Sequence, residues 1–230
     1  MKRYTDFLVI GTGLAGLSFA LKVASHGKVL IITKTKIDQT NTSYAQGGIA
    51  AVISDKDSYQ RHVEDTLRAG DGVCDEEIVR MVVSEAPKQI DQLLQWGTHF
   101  DLNKQGSFDL AKEGGHSRHR ILHYKDHTGA QIQETLMNRV KKHPNIEILE
   151  KYFAVDIITQ HHLGETVTKY RDDIQCFGAY ALNLATHQTE TLLARITYLA
   201  TGGIGNIYHT TTNPPIATGD GIAMAYRAKA

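Results

Sequence analysis

Gly11-Thr12-Gly13-Leu14-Ala15-Gly16 has the G-x-G-x-x-G spacing that lets a backbone loop hold a pyrophosphate. Gly11 permits a tight turn. Gly13 lets backbone N–H groups approach the phosphates, and Gly16 lets a following helix pack closely on a strand. Thr12, Leu14 and Ala15 carry the intervening amides, and the positive end of the helix dipole faces the anion. A second constellation is Glu113-Gly114-Gly115-His116-Ser117-Arg118-His119-Arg120, followed by His123 and His127. Histidine, serine and arginine beside paired glycines suit an anion site, with a carboxylate as the natural ligand of an arginine fork. A solvated basic loop fits the same composition equally well. The histidines lack the regular spacing of a helical zinc motif, so no metal is expected. Ser117 and His119 lack the G-x-S-x-G elbow of a nucleophilic serine, which sets hydrolase chemistry aside. Ala200-Thr201-Gly202-Gly203 and Gly219-Asp220-Gly221 are further places where backbone can touch a ligand, although Asp220 as a plain helix N-cap is sufficient for the second.

These residues need elements to hold them. Residues 5–10 read as a strand, 17–24 as a helix and 28–33 as a second buried strand. Strand, glycine loop, helix and strand within about 30 residues form a dinucleotide-binding unit. An NAD-type unit ends its second strand in Asp or Glu, but Thr33-Lys34 stands here. Lys34 then meets a phosphate, offers its backbone, or is a solvated loop lysine. Residues 42–51 are small and glycine-containing, which fits either a loop over the cofactor or a flexible turn. Helices are expected over 57–69 (capped by Asp57 or Ser58), 75–85, 87–96 with Pro87 in its first turn, and 128–143. Strands are expected over 146–149, 153–158, 175–184 and 192–200.

Composition narrows the class. Lys and Arg total 25 and Asp and Glu total 25, so there is no basic excess to bind nucleic acid or an anionic membrane. A hydrophobic share of 41% supports a packed core. No apolar run reaches the roughly 18 residues of a spanning helix, and the N-terminal residues lack a small-residue cleavage site, so no signal peptide is expected. Cys74 and Cys176 are too far apart in sequence for a C-x-x-C pair, which points to a reducing compartment, the cytoplasm.

With these blocks laid out, the sequence resembles the flavoprotein family of succinate dehydrogenase, fumarate reductase and L-aspartate oxidase. The carriers are GTGLAG at 11–16, NTSYAQGGIAAV at 41–52, HVEDTLRAGDGVCDEE at 62–77, KEGGHSRHRILH at 112–123, ATGG at 200–203 and TNPPIATGDGIAMAYRA at 212–228. The resemblance implies an α/β fold: a Rossmann-like FAD-binding domain of the glutathione-reductase-like type, ending before the family's capping and helical domains. It implies residues 1–230 as the first segment of that domain, with about 52–128 as an insertion carrying part of the substrate site. The implied cofactor is FAD. The glycine loop would hold its pyrophosphate. Lys34 and the loop of Asn41, Thr42, Ser43, Tyr44, Ala45, Gln46, Gly47 and Gly48 would wrap the flavin end. Ala200, Thr201, Gly202, Gly203 and Asp220 would lie along the remainder, and Val155 would offer backbone to the adenine.

Two positions point to the aspartate oxidase branch. Asn41 stands where the dicarboxylate dehydrogenases carry a flavin-linking histidine, and an amide cannot form that bond, so non-covalent FAD is expected. Glu113 stands near a neutral glutamine-type residue of those enzymes, and a carboxylate can pair with the ammonium group that separates aspartate from succinate. Glu113 is therefore the expected catalytic residue, with His116 and Ser117 beside it in binding L-aspartate or a related dicarboxylate. The implied reaction is oxidation of L-aspartate to iminoaspartate, with oxygen or fumarate as electron acceptor, at the start of quinolinate and NAD biosynthesis. Quinolinate synthase is then a candidate partner. The family is longer than this chain, so the resemblance implies a fragment with little activity alone. Alternatives are a succinate dehydrogenase or fumarate reductase segment and a non-catalytic nucleotide-binding module.

Overall fold

Val29–Thr33 is a run of five buried residues, as a parallel strand covered on both faces requires. The computed structural model describes residues 1–230. In chain order the elements are β1 (Lys2–Ile10), α1 (Leu14–Val23), β2 (Val29–Thr33), α2 (Asn41–Tyr44), β3 (Ile49–Ala50), α3 (Tyr59–Ala69) and α4 (Glu76–Gln95). They continue with β4 (Leu110–Ala111), β5 (Ile121–Leu122), α5 (Thr128–Lys141), β6 (Ile146–Glu150), β7 (Tyr152–Ile158), β8 (Gly178–Asn183), β9 (Gln188–Leu199) and α6 (Asp220–Arg227). They fall into two units, residues 1–43 with 136–230, and residues 44–135. The insertion expected over about 52–128 lies inside the second of these.

The first unit is built on a six-stranded sheet in the order β6-β2-β1-β9-β8-β7. β1 pairs in parallel with β2 and β9, and β2 in parallel with β6. β7 and β8 return antiparallel. Leu8, Ile10, Leu30 and Ile32 point to one face, where they pack with Tyr152, Ala154, Ala179, Ala181, Leu192 and Met224. Val9 and Ile31 alternate to the other face and are fully buried there. α1 packs on β1 and β2 through Gly16, Leu17 and Ala20, the three and four spacing of one helix stripe. The first βαβ unit thus forms where the sequence places it, although α1 starts at Leu14 and not at 17. The final helix likewise begins at Asp220, with Gly219 as its N-cap at φ 75°. Asp220 is a first-turn residue and not the cap.

The second unit holds α3, α4 and a small sheet in the order β3-β5-β4. Ser58 caps α3 by accepting from Arg61 N, and Asp75 caps α4 by accepting from Glu77 N and Ile78 N. Two helices broken at Pro87 were expected. One 20-residue helix runs through it. The missing N–H leaves the Val83 carbonyl without its usual donor, at a cost of about 3 kcal/mol. Val83, Ile90 and Leu93 lie on one stripe across the proline, and all three are buried. Their burial, at roughly 1.5–3 kcal/mol each, outweighs the break. Pro87→Ala restores the donor and removes the ring clash. It should raise stability by about 1–3 kcal/mol, read as a higher urea midpoint at unchanged slope.

Candidate functional site

In the first unit the carboxyl ends of β1, β2 and β9 converge on the start of α1. An ideal Cβ on Gly11 would lie 2.2 Å from the Ala200 carbonyl oxygen, and one on Gly16 would lie 2.1 Å from the Gly11 carbonyl oxygen. No side chain fits at either place. Gly11 also has φ 115°, which an L side chain rarely adopts. The three chain segments therefore meet backbone to backbone, and a cavity of 660 Å³ opens above them. That is within the range of about 300–1,000 Å³ common for small-molecule and cofactor sites.

The lining comes from distant parts of the sequence. Gly11–Ala15, the end of β2 through Thr35, residues 39–42, Tyr152–Ala154, Leu199–Gly203, Asp220 and Met224 all contribute. α1 opens on Gly13, which has no side chain to cap the helix. Leu14 N donates to Thr42 Oγ1 at 3.1 Å, and the first intrahelical bond runs from Leu17 N to Gly13 O at 3.0 Å. The Ala15 amide precedes that bond and Ala15 lines the cavity, so the N-terminal end of α1 faces it, as a phosphate group needs. Lys34 Nζ donates to Asp220 Oδ2 and Thr218 Oγ1. The carboxylate that β2 lacks thus enters the cavity wall from α6. The residues present fit a dinucleotide on three counts: a glycine-bounded helix N-terminus, small residues at 200–203 and a carboxylate held by a lysine.

Among the residues singled out by sequence, Gly11, Thr12, Gly13, Leu14, Ala15, Lys34, Asn41, Thr42, Ala200, Thr201, Gly202, Gly203 and Asp220 line this cavity. Gly16 sits beneath it. Asn41 Nδ2 donates to Asn213 Oδ1 at 3.1 Å. Ser43 pairs with Asp38 and Thr40 and holds the loop turn. Val155 does not line the cavity. The β7–β8 register shifts between Ala154 and Asp156, and the Val155 carbonyl accepts from Arg227 Nη2 at 2.6 Å. Tyr152, Phe153 and Ala154 line it instead. These three residues carry no local motif, so the sequence offered no signal for them, and Met224 lies within the 212–228 block without having been singled out.

Tyr44, Ala45, Gln46, Gly47 and Gly48 belong to the second unit. The Ala45 carbonyl accepts from Gly129 N at the start of α5, and Gly48 lies too close to Leu122 for a side chain, with an ideal Cβ 2.2 Å from its carbonyl oxygen. Gly47 adjoins Glu113, whose Oε1 would be 3.6 Å from a Cβ there.

The polar cluster of the second unit is not a solvated loop throughout. Arg120 is fully buried. Its Nε and Nη2 bond Asp57 at 2.7 and 2.9 Å, and its Nη1 bonds Asp65 Oδ2 at 2.8 Å. Arg68 reaches Asp65 Oδ1 at 2.6 Å. Two aspartates and two arginines thus balance in charge. Burial alone would raise both carboxyls. Hydrogen bonds to Asp65 from Ser117 and to both from Arg120 overcome it, and both are held below the usual carboxylate range. His62 is pushed down by burial, then by Arg120 and His116. Its ring meets His116 edge to face at 6.1 Å.

Above this knot, His116 N donates to Glu113 O at 3.2 Å, closing a four-residue turn, with Gly115 at φ 86°. Ser117 N and Oγ both donate to Asp65 Oδ2, each at 2.7 Å. His119 Nδ1 lies 3.0 Å from Leu110 O. The Glu113 side chain is exposed and makes no ion pair or hydrogen bond. The Arg120 fork is therefore spent inside the protein, while Arg118 stays exposed beside Glu113, His116 and Ser117 on the same loop. Asp65 lies 52 residues before Ser117, which it bonds, and Asp57 lies 63 before Arg120; the sequence offered Asp57 only as a helix cap and Asp65 only within the 62–77 block.

Residues 6–230 match the family described as FAD binding domain. The chain is 48% identical over 228 residues to the L-aspartate oxidase 2-a, chloroplastic, of Nicotiana tabacum, covering 99% of this chain and 34% of that protein. It is 45% identical over 231 residues to the L-aspartate oxidase of Yersinia pestis, covering 99% of this chain and 42% of that protein. Among solved structures, an E. coli quinol fumarate reductase chain superposes with a TM-score of 0.88 at 30% identity, over 99% of this chain and 37% of that one. The chain thus spans well under half the length of these relatives. No helix is long and apolar enough to cross a membrane.

Removing one partner from a buried ion pair leaves an uncompensated charge, at about 3–5 kcal/mol. Asp65→Asn should therefore destabilise the second unit by an amount in that range, measured by urea unfolding. Because the folded carboxyls of Asp57 and Asp65 are depressed, their stabilisation is present above the unfolded value of about 3.9 and is lost as pH falls below it. Thermal midpoints should hold from pH 8 to about 6.5, ease downward below it as the unfolded chain takes up the proton that buried His62 refuses, and drop more steeply below about pH 4. The drop should be shallower in Asp65→Asn.

Proposed function

The chain belongs to the FAD-binding domain family, and from that premise we propose that it is the cofactor-binding part of a flavin-dependent L-aspartate oxidase, producing iminoaspartate for quinolinate and NAD synthesis in the cytoplasm. The support for the cofactor is the cavity at the ends of β1, β2 and β9. The N-terminal turn of α1 at Gly13–Ala15 would hold the pyrophosphate, Asp220 with Lys34 the polar part of the chain beyond it, and Gly202 and Gly203 would let backbone approach closely. When bound, the isoalloxazine supplies the acceptor for a hydride from the substrate α-carbon.

The observation that carries the substrate assignment is Glu113. It is an unpaired carboxylate on a Gly-Gly turn, and its role is to take the substrate ammonium group. His116 and Ser117 on the same turn complete that side of the site. Covering a minority of its relatives' length, the chain supplies only part of an oxidase. The activity is assigned to the whole protein, with oxygen or fumarate as acceptor. Similarity to fumarate reductase favours a second reading as a dicarboxylate oxidoreductase. Glu113 and Asn41 argue for the first.

The purified chain should show a flavin absorption spectrum. Because Asn41 carries an amide, acid or detergent should release all the flavin into the supernatant, and flavin remaining on the protein would contradict that assignment. In the whole protein, Glu113→Gln should lower kcat/KM for L-aspartate at least tenfold more than that for fumarate or succinate. That difference is about 1.4 kcal/mol, and equal losses on all three would remove Glu113 from ammonium recognition.

A further inference from the structure

Ser117 is exposed on the turn that carries Glu113, yet its hydroxyl is not free to act as a donor. A serine hydroxyl has one hydrogen and two acceptor lone pairs. That hydrogen goes to Asp65 Oδ2 at 2.7 Å, and the Ser117 backbone N–H goes to the same oxygen at 2.7 Å. Asp65 is itself fixed by Arg120 Nη1 at 2.8 Å and by Arg68 at 2.6 Å. Its side chain is buried, and hydrogen bonds from Ser117 and Arg120 keep it ionised. An ionised carboxylate only accepts, so turning the hydroxyl hydrogen outward would cost buried Asp65 one of its four donors.

From this geometry we propose that Ser117 is a second specificity-determining residue for an ammonium-bearing substrate, held as an obligate hydrogen-bond acceptor by Asp65. The inference rests on the aspartate reading above and deepens it. The Gly114-Gly115 turn, closed by His116 N to Glu113 O at 3.2 Å, puts two acceptors on one short loop. An ammonium group has three donors and no acceptor. Its hydrogens match acceptors of both kinds. A methylene, as in succinate, offers neither oxygen a donor and leaves their hydration to be lost on binding. Discrimination thus comes partly from repulsion of the wrong ligand. Asp65 touches no substrate in this scheme and acts only by orienting Ser117.

The test uses the FAD-loaded protein at its full natural length, with L-aspartate and succinate titrated against the flavin absorbance. The wild type should bind aspartate more tightly. Ser117→Ala keeps the backbone N–H to Asp65. It should weaken aspartate about tenfold while shifting succinate by less than twofold, and Ser117→Thr, which retains the hydroxyl, should restore most of the difference. Thermal midpoints within a few degrees of wild type would exclude unfolding as the cause. Equal weakening of both ligands, or no change for aspartate, overturns the Ser117 role while leaving the aspartate reading intact. A wild-type protein that binds succinate as tightly as aspartate overturns both.

Discussion

The cofactor-binding unit depends on one steric constraint: three backbones meet where Gly11 and Gly16 leave no room for a Cβ of their own. Gly11, Gly16 and Ala200 close the ends of β1, α1 and β9 upon each other, with ideal Cβ positions little more than 2 Å from carbonyl oxygens. Because the segments approach so closely, the first turn of α1 reaches the strand ends and its unpaired amides face the cavity. A wider junction would fill the space with side chains. The parallel core beneath it, from Val9 and Ile31 to Leu8 and Ile32, is buried on both faces and keeps the strand ends in register.

The second unit depends on charge. Arg120 lies at the start of β5, with its backbone tied to Ala111 and Ala51, while its guanidinium reaches Asp57 before α3 and Asp65 within it. One buried side chain thus joins the small sheet to a helix. The same Asp65 oxygen then takes both hydrogens of Ser117, so the ion pair sets the position and the hydrogen-bonding sense of the exposed turn. A buried ion pair contributes little net stability when compared with apolar packing. Here its consequence is orientation: Asp65 holds Ser117 at the end of the turn that carries Glu113 and His116.

Helix α4 shows a different balance. Pro87 breaks one hydrogen bond, and local propensity alone divides the helix there. Burial of Val83, Ile90 and Leu93 on one stripe overrides that preference. The stripe is visible in the sequence, but its weight against the proline depends on what covers it.

The sequence by itself determined the first βαβ unit. Its signals are local: the glycine spacing at 11–16, the buried run at 29–33 and the helix stripe between them all act within about 30 residues. Six motif blocks also fixed the family and hence FAD. Only the tertiary structure decided which residues complete the cavity. Tyr152, Ala154 and Met224 arrive through β7 and α6, and Asp220, already placed along FAD by the resemblance, is paired with Lys34 only in the fold. Only the tertiary structure turned Arg120 from a ligand-binding candidate into a buried support. Its partners lie 55 and 63 residues away, and no local pattern tells an arginine whether water or two aspartates will surround it.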